Sequence, residues 1–165
     1  MDDARKMRVL LDTNVWLDYL LLGRSGRDIA EELIRRCSCG DVLLLYALHA
    51  IQDVFFQAGV TYKRMLCADG VEIDDAWGRA ISDQAWECAR TMNEVATLAG
   101  MDQGDLWLAF KYRELHPDLE DDLVIAVAQR AEADYLVTSD CKLIARSPVA
   151  ALTPRDMLTV LKALG

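Results

Sequence analysis

Short apolar segments separated by longer amphipathic ones constrain the fold of this chain more than any other feature. The apolar segments are residues 8–11, 42–47, 134–138 and 149–152. Segments of this length are too short for typical core helices and are characteristic of strands buried on both faces of a sheet. Their alternation with helical segments predicts an α/β domain of three layers. Helices would cover both faces of a central parallel sheet of about four to five strands.

The helical segments between these strands are recognised by their apolar periodicity. The clearest covers residues 74–99, where apolar residues recur at steps of three and four. We interpret its Trp77 and Trp86 as packing residues rather than as platforms for stacked bases. A short edge strand is expected within residues 97–101. Further helices are expected over residues 15–22, 27–37, 48–64, 105–115 and 119–133, and from residue 154 onward.

Length, composition and charge narrow the class of protein. The 165 residues are 53% apolar and 27% charged, which suits one globular core and excludes a disordered or coiled-coil chain. The five cysteines have irregular spacing, and there is no signal peptide or membrane span. We therefore expect a reduced protein of the cytoplasm. The net charge of −9 argues against tight, nonspecific binding to nucleic acid, because phosphate contacts require Lys and Arg.

Three acidic residues are predicted to meet at one edge of the sheet. Asp12 and Asp140 each follow a strand, and Asp121 begins the helix that leads into the second of these strands. A crossover helix runs antiparallel to its strands, so its N-terminus lies at the edge where the strands end. The helix after the second strand begins at the same edge. Gln52 and Asp53, about one turn into that helix, could therefore join the group.

Clustered carboxylates indicate a metal site. Carboxylates repel one another and take up protons unless a cation neutralises them. A site made of oxygen ligands suits a hard divalent cation such as Mg²⁺ or Mn²⁺. One or two such ions can activate water and stabilise the charge on a phosphodiester. Each acid also has a structural explanation, because Asp12, Asp121 and Asp140 all stand where a helix is expected to begin.

The sequence resembles the PIN domain family over nearly its whole length, from about residue 7 to about residue 161. Residues 10–18 (LLDTNVWLD) are similar to the opening of PIN domains, in which an apolar strand runs into Asp-Thr-Asn. Residues 118–123 (DLEDDL) and 133–140 (ADYLVTSD) are similar to the second half of the family. There an acid begins the penultimate helix and a strand ends in Thr-x-Asp. Residues 152–154 (LTP) resemble its last strand–helix junction.

The resemblance implies a small α/β/α ribonuclease that cleaves single-stranded RNA with the help of Mg²⁺ or Mn²⁺. The family includes many bacterial toxins, so the resemblance also implies an antitoxin as a possible partner. Asp12, Asp121 and Asp140 would bind the metal. We expect one domain over residues 1–165, with residues 66–107 as a variable helical portion. The residues that would shape the site are Thr13, Asn14, Gln52, Asp122 and Thr138.

One departure from the family pattern concerns the helix after the second strand, where the family usually has a Glu. Gln52 matches that position best, and Asp53 follows it. Either Asp53 turns inward as a fourth catalytic acid, or three carboxylates suffice, or the activity is weakened. A shift of one residue is about 100° of helix rotation, so Asp53 does not substitute automatically.

The resemblance to the PIN domain family also indicates which partners to expect. The substrate would be RNA, and a homodimer could form through the helix at residues 74–99. No membrane partner is expected. The candidate RNA contacts are Arg24, Arg27, Lys63, Arg64, Lys111 and Arg113.

Three other functions compete with a metal-dependent nuclease. A catalytically weak or inactive PIN-like module that binds RNA or protein would explain Gln52 and the low content of basic residues. His49 and His116 could cleave RNA as an acid–base pair without metal. A phosphatase with an Asp-x-Asp nucleophile motif is a third option, but Asn14 occupies the position of the second Asp.

Overall fold

The computed structural model describes residues 5–114 and 117–164, and within them a five-stranded parallel sheet forms the centre of the fold. The strand order is β3-β2-β1-β4-β5. The strands are β1 (Met7–Leu11), β2 (Val42–Ala47), β3 (Thr97–Ala99), β4 (Tyr135–Val137) and β5 (Ala151–Leu152). The helices are α1 (Thr13–Leu20), α2 (Arg27–Cys39), α3 (Leu48–Ala68), α4 (Asp75–Val95), α5 (Gln103–Tyr112), α6 (Leu119–Arg130), α7 (Cys141–Arg146) and α8 (Pro154–Leu164).

Strand β1 lies in the middle of the sheet and divides the hydrophobic core into two layers. Its Leu10 pairs with Leu45 of β2 on one side and with Leu136 of β4 on the other. These three leucines face a layer that contains α6 and α7. Side chains alternate along a strand, so the neighbouring Val9 and Leu11 face the opposite layer, which contains α1 to α4 and α8. The predicted three-layer fold with a parallel sheet is confirmed.

Helices α3 and α4 pack against each other as an antiparallel pair. Phe55 of α3 meets Trp86 of α4 edge to face, with ring centroids 5.2 Å apart. Trp86 therefore packs between helices on one side, although it remains largely exposed on the other. Helix α4 ends at Val95 rather than at residue 99, because the chain becomes extended at Ala96 and pairs with β2 as the edge strand β3.

Several helices begin at the edge of the sheet where the strands end, which we call the carboxyl edge. Helices α1, α3 and α8 follow β1, β2 and β5 directly, and α7 follows β4 after a short loop. Two backbone hydrogen bonds hold this edge together. The amide of Asp12 donates to Val137, and the amide of Thr138 donates to Leu152. The short helix α7 was missed because six residues carry too little periodicity to be recognised.

None of the helices in the described ranges is long and apolar enough to cross a membrane.

Candidate active site

Asp12 is the most enclosed carboxylate at the carboxyl edge, with 8% of its surface exposed. It ends β1 in an extended conformation and caps α1, so its side chain is directed back over the first turn of that helix. Its Oδ1 accepts a hydrogen bond from the amide of Thr13 at 2.7 Å. Its Oδ2 accepts from Asn14 Nδ2 and from Thr138 Oγ1, both at 2.7 Å. Asp12 is therefore fixed by residues from two neighbouring strand ends.

Asn14 and Thr138 tie the loop after β4 to the turn after β1. Asn14 Nδ2 also donates to Thr138 Oγ1 at 3.0 Å, and its Oδ1 accepts from the amide of Ser139 at 3.0 Å. Thr138 is fully buried, and its hydroxyl accepts from the amide of Asp140 at 3.0 Å. The network places Asp140 beside Asp12. Asp140 itself caps α7 by accepting from the amide of Lys142 at 2.7 Å.

The electrostatics of Asp12 disfavour its charged form in the cation-free protein. Burial raises the pKa of Asp12, and the hydrogen bonds from Thr138 and Thr13 oppose that rise. The positive charge that His49 can carry also lowers the pKa, and the nearby Asp140 raises it. The net direction is upward, so the protein alone does not compensate fully for burying this charge.

The start of α6 adds further carboxylates. Asp118 caps the helix by accepting from the amide of Glu120 at 2.9 Å. Burial raises the pKa of Glu120, and Asp53, Asp12, Asp118 and Asp121 raise it further. Glu120 therefore lies within electrostatic range of carboxylates from two other elements, Asp53 of α3 and Asp12 at the end of β1. It was not among the predicted site residues, and its only sequence signal was its place in the acidic first turn.

On α3, it is Asp53 and not Gln52 that turns toward the other acids. Gln52 is exposed, whereas Asp53 is half-buried and acts electrostatically on both Glu120 and His49. His49 lies one turn before Asp53 and so on the same face of the helix. Burial lowers the pKa of His49, and Asp53 and Asp12 oppose this. We call Asp12, Asp53, Glu120, Asp121 and Asp140 the acidic cluster.

Several other predicted residues are placed as follows. Thr13 is buried next to Asp12, and its hydroxyl has no hydrogen-bond partner among the described residues. Asp122 is buried on the face of α6 that packs against α5, where its negative charge adds to burial in raising the pKa of Tyr112. It therefore lies on a different face from the acidic cluster. His116 lies outside the described residues.

The predicted basic contacts are dispersed. Arg24 is paired with Asp18 at 2.8 Å, and Arg27 with Glu31 at 2.7 Å. Lys63 is fifteen residues into α3, about 22 Å along the axis from the end that faces the acidic cluster, and Arg64 follows it. Lys111 and Arg113 are exposed at the end of α5. None of these side chains shares an ion pair or hydrogen bond with the acidic cluster within the described ranges.

The sequence also matches the model of a known protein family. The sequence model of the PIN domain matches residues 8–142, which is most of the chain. The chain belongs to the PIN domain family. This PIN domain has no significant match among curated protein sequences.

Solved structures share the fold of this PIN domain at low sequence identity. A toxin–antitoxin complex from Klebsiella pneumoniae is 18% identical, with a TM-score of 0.59, over 88% of this chain and 97% of that one. VapC20 of Mycobacterium tuberculosis, described as a sarcin–ricin loop cleaving toxin, is 13% identical, with a TM-score of 0.63, over 86% and 97%. VapBC2 of Rickettsia felis, bound to a DNA fragment from its promoter, is 12% identical, with a TM-score of 0.64, over 89% and 98%.

The donors at the carboxyl edge fit the divalent cation that a PIN fold implies. Among the described residues, no three His, Cys, Asp or Glu side chains are already close enough together to hold a metal ion. The donor chemistry nevertheless suits a divalent cation, because carboxylate oxygens are its preferred ligands. The hydrogen bonds to Asp12 do not fully offset the burial of its charge, and Asp140 raises its pKa further. Burial also raises the pKa of Glu120, and Asp53, Asp12 and Asp121 raise it further. A bound cation would remove the repulsion that raises the pKa of Glu120.

Proposed function

We propose that this PIN domain is a ribonuclease that hydrolyses phosphodiester bonds of single-stranded RNA and depends on Mg²⁺ or Mn²⁺. The observation that carries the proposal is the buried carboxylate of Asp12, held by three donors and facing other acids. Burying an ionisable group at this cost to stability is typical of a functional site. A purely structural cap at the start of α1 would be satisfied by one hydrogen bond at the surface.

In the proposed reaction, the acidic cluster holds the cation, and Asn14 and Thr138 orient Asp12 toward it. Asp12 and Asp140 are the first ligands, with Asp121 or Glu120 from α6 and Asp53 from α3 completing the set. When bound, one or two ions would activate water and neutralise charge on the phosphodiester. The chain supplies the positions of these donors, because all of them except Asp53 stand at a helix cap or in a first turn, and Asp53 lies in the second turn of α3.

A groove next to the acidic cluster gives the RNA strand a path. Its cavity volume is about 400 Å³, and Ser139, between Thr138 and Asp140, forms part of its wall. Ile29 and Pro154 supply apolar surface for a base, and the exposed Arg155 supplies positive charge for a phosphate. Arg155 forms no ion pair within the described part of the chain. We infer that Arg155 contributes more to RNA binding than the paired Arg24 and Arg27.

The physiological role we propose is that of a toxin in a toxin–antitoxin pair that acts in the cytoplasm. By their descriptions, one structural relative is a toxin–antitoxin complex and another is a toxin. The net charge of −9 is compatible with this role if a partner protein supplies further basic surface for RNA. The exposed side of the α3–α4 pair, with Trp86 and Phe56, is the surface we assign to a homodimer.

Cleavage of a labelled single-stranded RNA tests the proposal. We expect cleavage that requires Mn²⁺ or Mg²⁺, stops in EDTA, and is lost in Asp12→Asn and in Asp140→Asn. Lys142→Gln changes a residue beside Asp140 outside the acidic cluster and is expected to retain activity. Absence of metal-dependent cleavage, together with RNA binding that Asp12→Asn leaves unchanged, would favour the binding module without enzymatic activity.

The groove can be tested in the same assay. Arg155→Gln should raise KM for RNA several-fold and leave kcat nearly unchanged, because the arginine binds a part of the strand that does not react. Lys162→Gln removes the same charge from the far end of α8 and should change neither constant. An equal effect of both substitutions would mean that overall charge, and not the groove, determines binding.

A further inference from the structure

His49 is a partly buried residue whose ring is turned into the protein. Both of its ring nitrogens are inaccessible to solvent, and neither has a hydrogen-bond partner among the described residues. Buried polar groups in folded proteins almost always have a partner, and leaving one without a partner costs about 1–3 kcal/mol. An imidazole in this position needs a ligand that the protein chain does not supply.

The position of His49 in the fold narrows the identity of that ligand. His49 lies in the first turn of α3, which begins directly after β2 at the carboxyl edge. Asp53 is four residues later on the same helix face, and Asp12 lies across from it at the end of β1. Both carboxylates act electrostatically on the ring. The unpartnered nitrogens therefore lie in the first turn of a helix that begins at the carboxyl edge, within electrostatic range of two members of the acidic cluster.

We propose that His49 supplies a nitrogen ligand to the divalent cation of the acidic cluster and makes the site prefer Mn²⁺ to Mg²⁺. The proposal rests on the proposed function, because it assumes that a cation binds to Asp12. Imidazole is a good ligand for transition-metal ions, whereas Mg²⁺ prefers oxygen ligands and retains several of its waters. A site made only of carboxylates would discriminate much less between Mn²⁺ and Mg²⁺.

The short side chain of Asp53 gives a second reason to expect a nitrogen ligand from α3. Asp53 has one methylene fewer than a Glu would have, so α3 extends a shorter carboxylate toward the cation. His49, one turn earlier on the same face, has the reach to occupy a coordination position that Asp53 leaves open. The two side chains would then contribute one nitrogen and one oxygen ligand from a single helix.

Pulsed electron paramagnetic resonance of the Mn²⁺-loaded full chain tests this assignment directly. We expect modulation of the Mn²⁺ signal by an imidazole ¹⁴N nucleus in the wild-type protein and its loss in His49→Gln. His116 is the only other histidine in the sequence, so His116→Gln is the matched control and should retain the modulation. If His49→Gln does not fold, labelling the wild type with ¹⁵N-histidine should replace the ¹⁴N pattern without any substitution.

Calorimetric titration gives a second readout that does not depend on activity. His49→Gln should weaken Mn²⁺ binding by at least about tenfold, the loss that removal of even an indirect metal partner causes. Binding of Mg²⁺ should change by much less, so the preference for Mn²⁺ should fall. An equal loss for both ions would overturn the claim that His49 sets the metal preference.

The outcomes separate this inference from the proposed function. Mn²⁺ binding that is lost in Asp12→Asn but shows no histidine nitrogen coupling would overturn the role of His49 and leave the nuclease intact. Absence of any Mn²⁺ binding that depends on Asp12 would overturn both.

Discussion

At the scale of single residues, the site depends on how one carboxylate is held. Asp12 accepts three hydrogen bonds at 2.7 Å, two from the residues that follow it and one from Thr138. These bonds fix its orientation, but they do not offset burial, because the pKa of Asp12 remains raised. Holding Asp12 in this position therefore lowers the stability of the cation-free protein, and a bound cation would offset that loss.

Glu120 permits a test of the repulsion within the acidic cluster. Burial and the surrounding carboxylates raise its pKa in the folded state. A carboxyl group with a raised folded pKa favours folding below its unfolded pKa of about 4.3 and loses this contribution as pH rises through the folded value. Without metal, Glu120→Gln should therefore be more stable than the wild type at pH 7, and the difference should shrink toward pH 4.

The measurement is thermal unfolding in EDTA across this pH range. Glu94→Gln removes an equal charge from the exposed surface of α4 and shows how much of the gain comes from net charge alone. Equal effects of the two substitutions at every pH would show that Glu120 is not part of a repulsive cluster.

Thr138 permits a test of the hydrogen-bond network. Its hydroxyl donates to Asp12 and accepts from the amide of Asp140 and from Asn14. Thr138→Val removes the hydroxyl but keeps the shape, and should lower the free energy of unfolding by about 1–3 kcal/mol, because buried partners lose their hydrogen bonds. Thr138→Ser keeps the hydroxyl and should retain more of both stability and cleavage. Urea unfolding measures the difference, and equal losses in both variants would assign the effect to the methyl group.

At the scale of elements, the site follows from where the helices begin. Helices α1, α3 and α7 come after strands whose ends meet at the carboxyl edge, and α6 returns to the same edge because it runs antiparallel to β4. Helices α1, α6 and α7 contribute acids from the cap or the first turn, and α3 contributes Asp53 from its second turn. The N-terminus of a helix stabilises negative charge, so the helix dipoles offset part of the repulsion within the acidic cluster.

Helix α6 is followed by a residue in the left-handed backbone conformation, and the energetic cost of that conformation can be measured. Glu132 has φ of +50° and follows the last helical residues in a Schellman motif, in which the amide of Ala133 donates to Ala128. A residue with a side chain costs about 1 kcal/mol in this left-handed conformation, and glycine avoids the cost. Glu132→Gly should therefore be more stable than Glu132→Ala by about 1 kcal/mol in urea unfolding.

The alanine variant serves as the control because both substitutions remove the exposed ion pairs of Glu132 with Arg5 and Arg8. Those pairs are exposed and contribute little. A glycine variant less stable than the alanine variant would show that the left-handed residue carries no strain.

At the scale of the whole molecule, the net charge of −9 and the acidic cluster are connected. Bound cations would reverse the field at the carboxyl edge while the protein as a whole remains negative. The fold should therefore gain stability from metal. Mn²⁺ at about a hundred times its Kd should raise the free energy of unfolding by about 2.7 kcal/mol. Thermal unfolding with and without Mn²⁺ measures this gain, and the Asp12→Asn, Asp140→Asn double variant should show none.

The family and the three-layer fold could be predicted from the sequence because their signals are local. Buried strands in a parallel sheet are short apolar segments, and the residues that end them are adjacent in sequence. The position of Asp12 at the end of β1 and of Asp140 after β4 followed from the sequence for this reason. The true end of α4 did not, because it depends on the pairing of Thr97–Ala99 with β2, and α7 did not because six residues carry too little periodicity.

The sequence by itself determined that acids from several elements would meet at the carboxyl edge, since strand direction and helix direction are implied by the order of elements. Only the tertiary structure decided which side of each helix faces that edge. Ala50, Val54 and Ala58 of α3 pack into the core, and this rotation exposes Gln52 and turns His49 and Asp53 toward Asp12. The physical reason is that one residue corresponds to about 100° of rotation, and the rotation is set by contacts with the rest of the core.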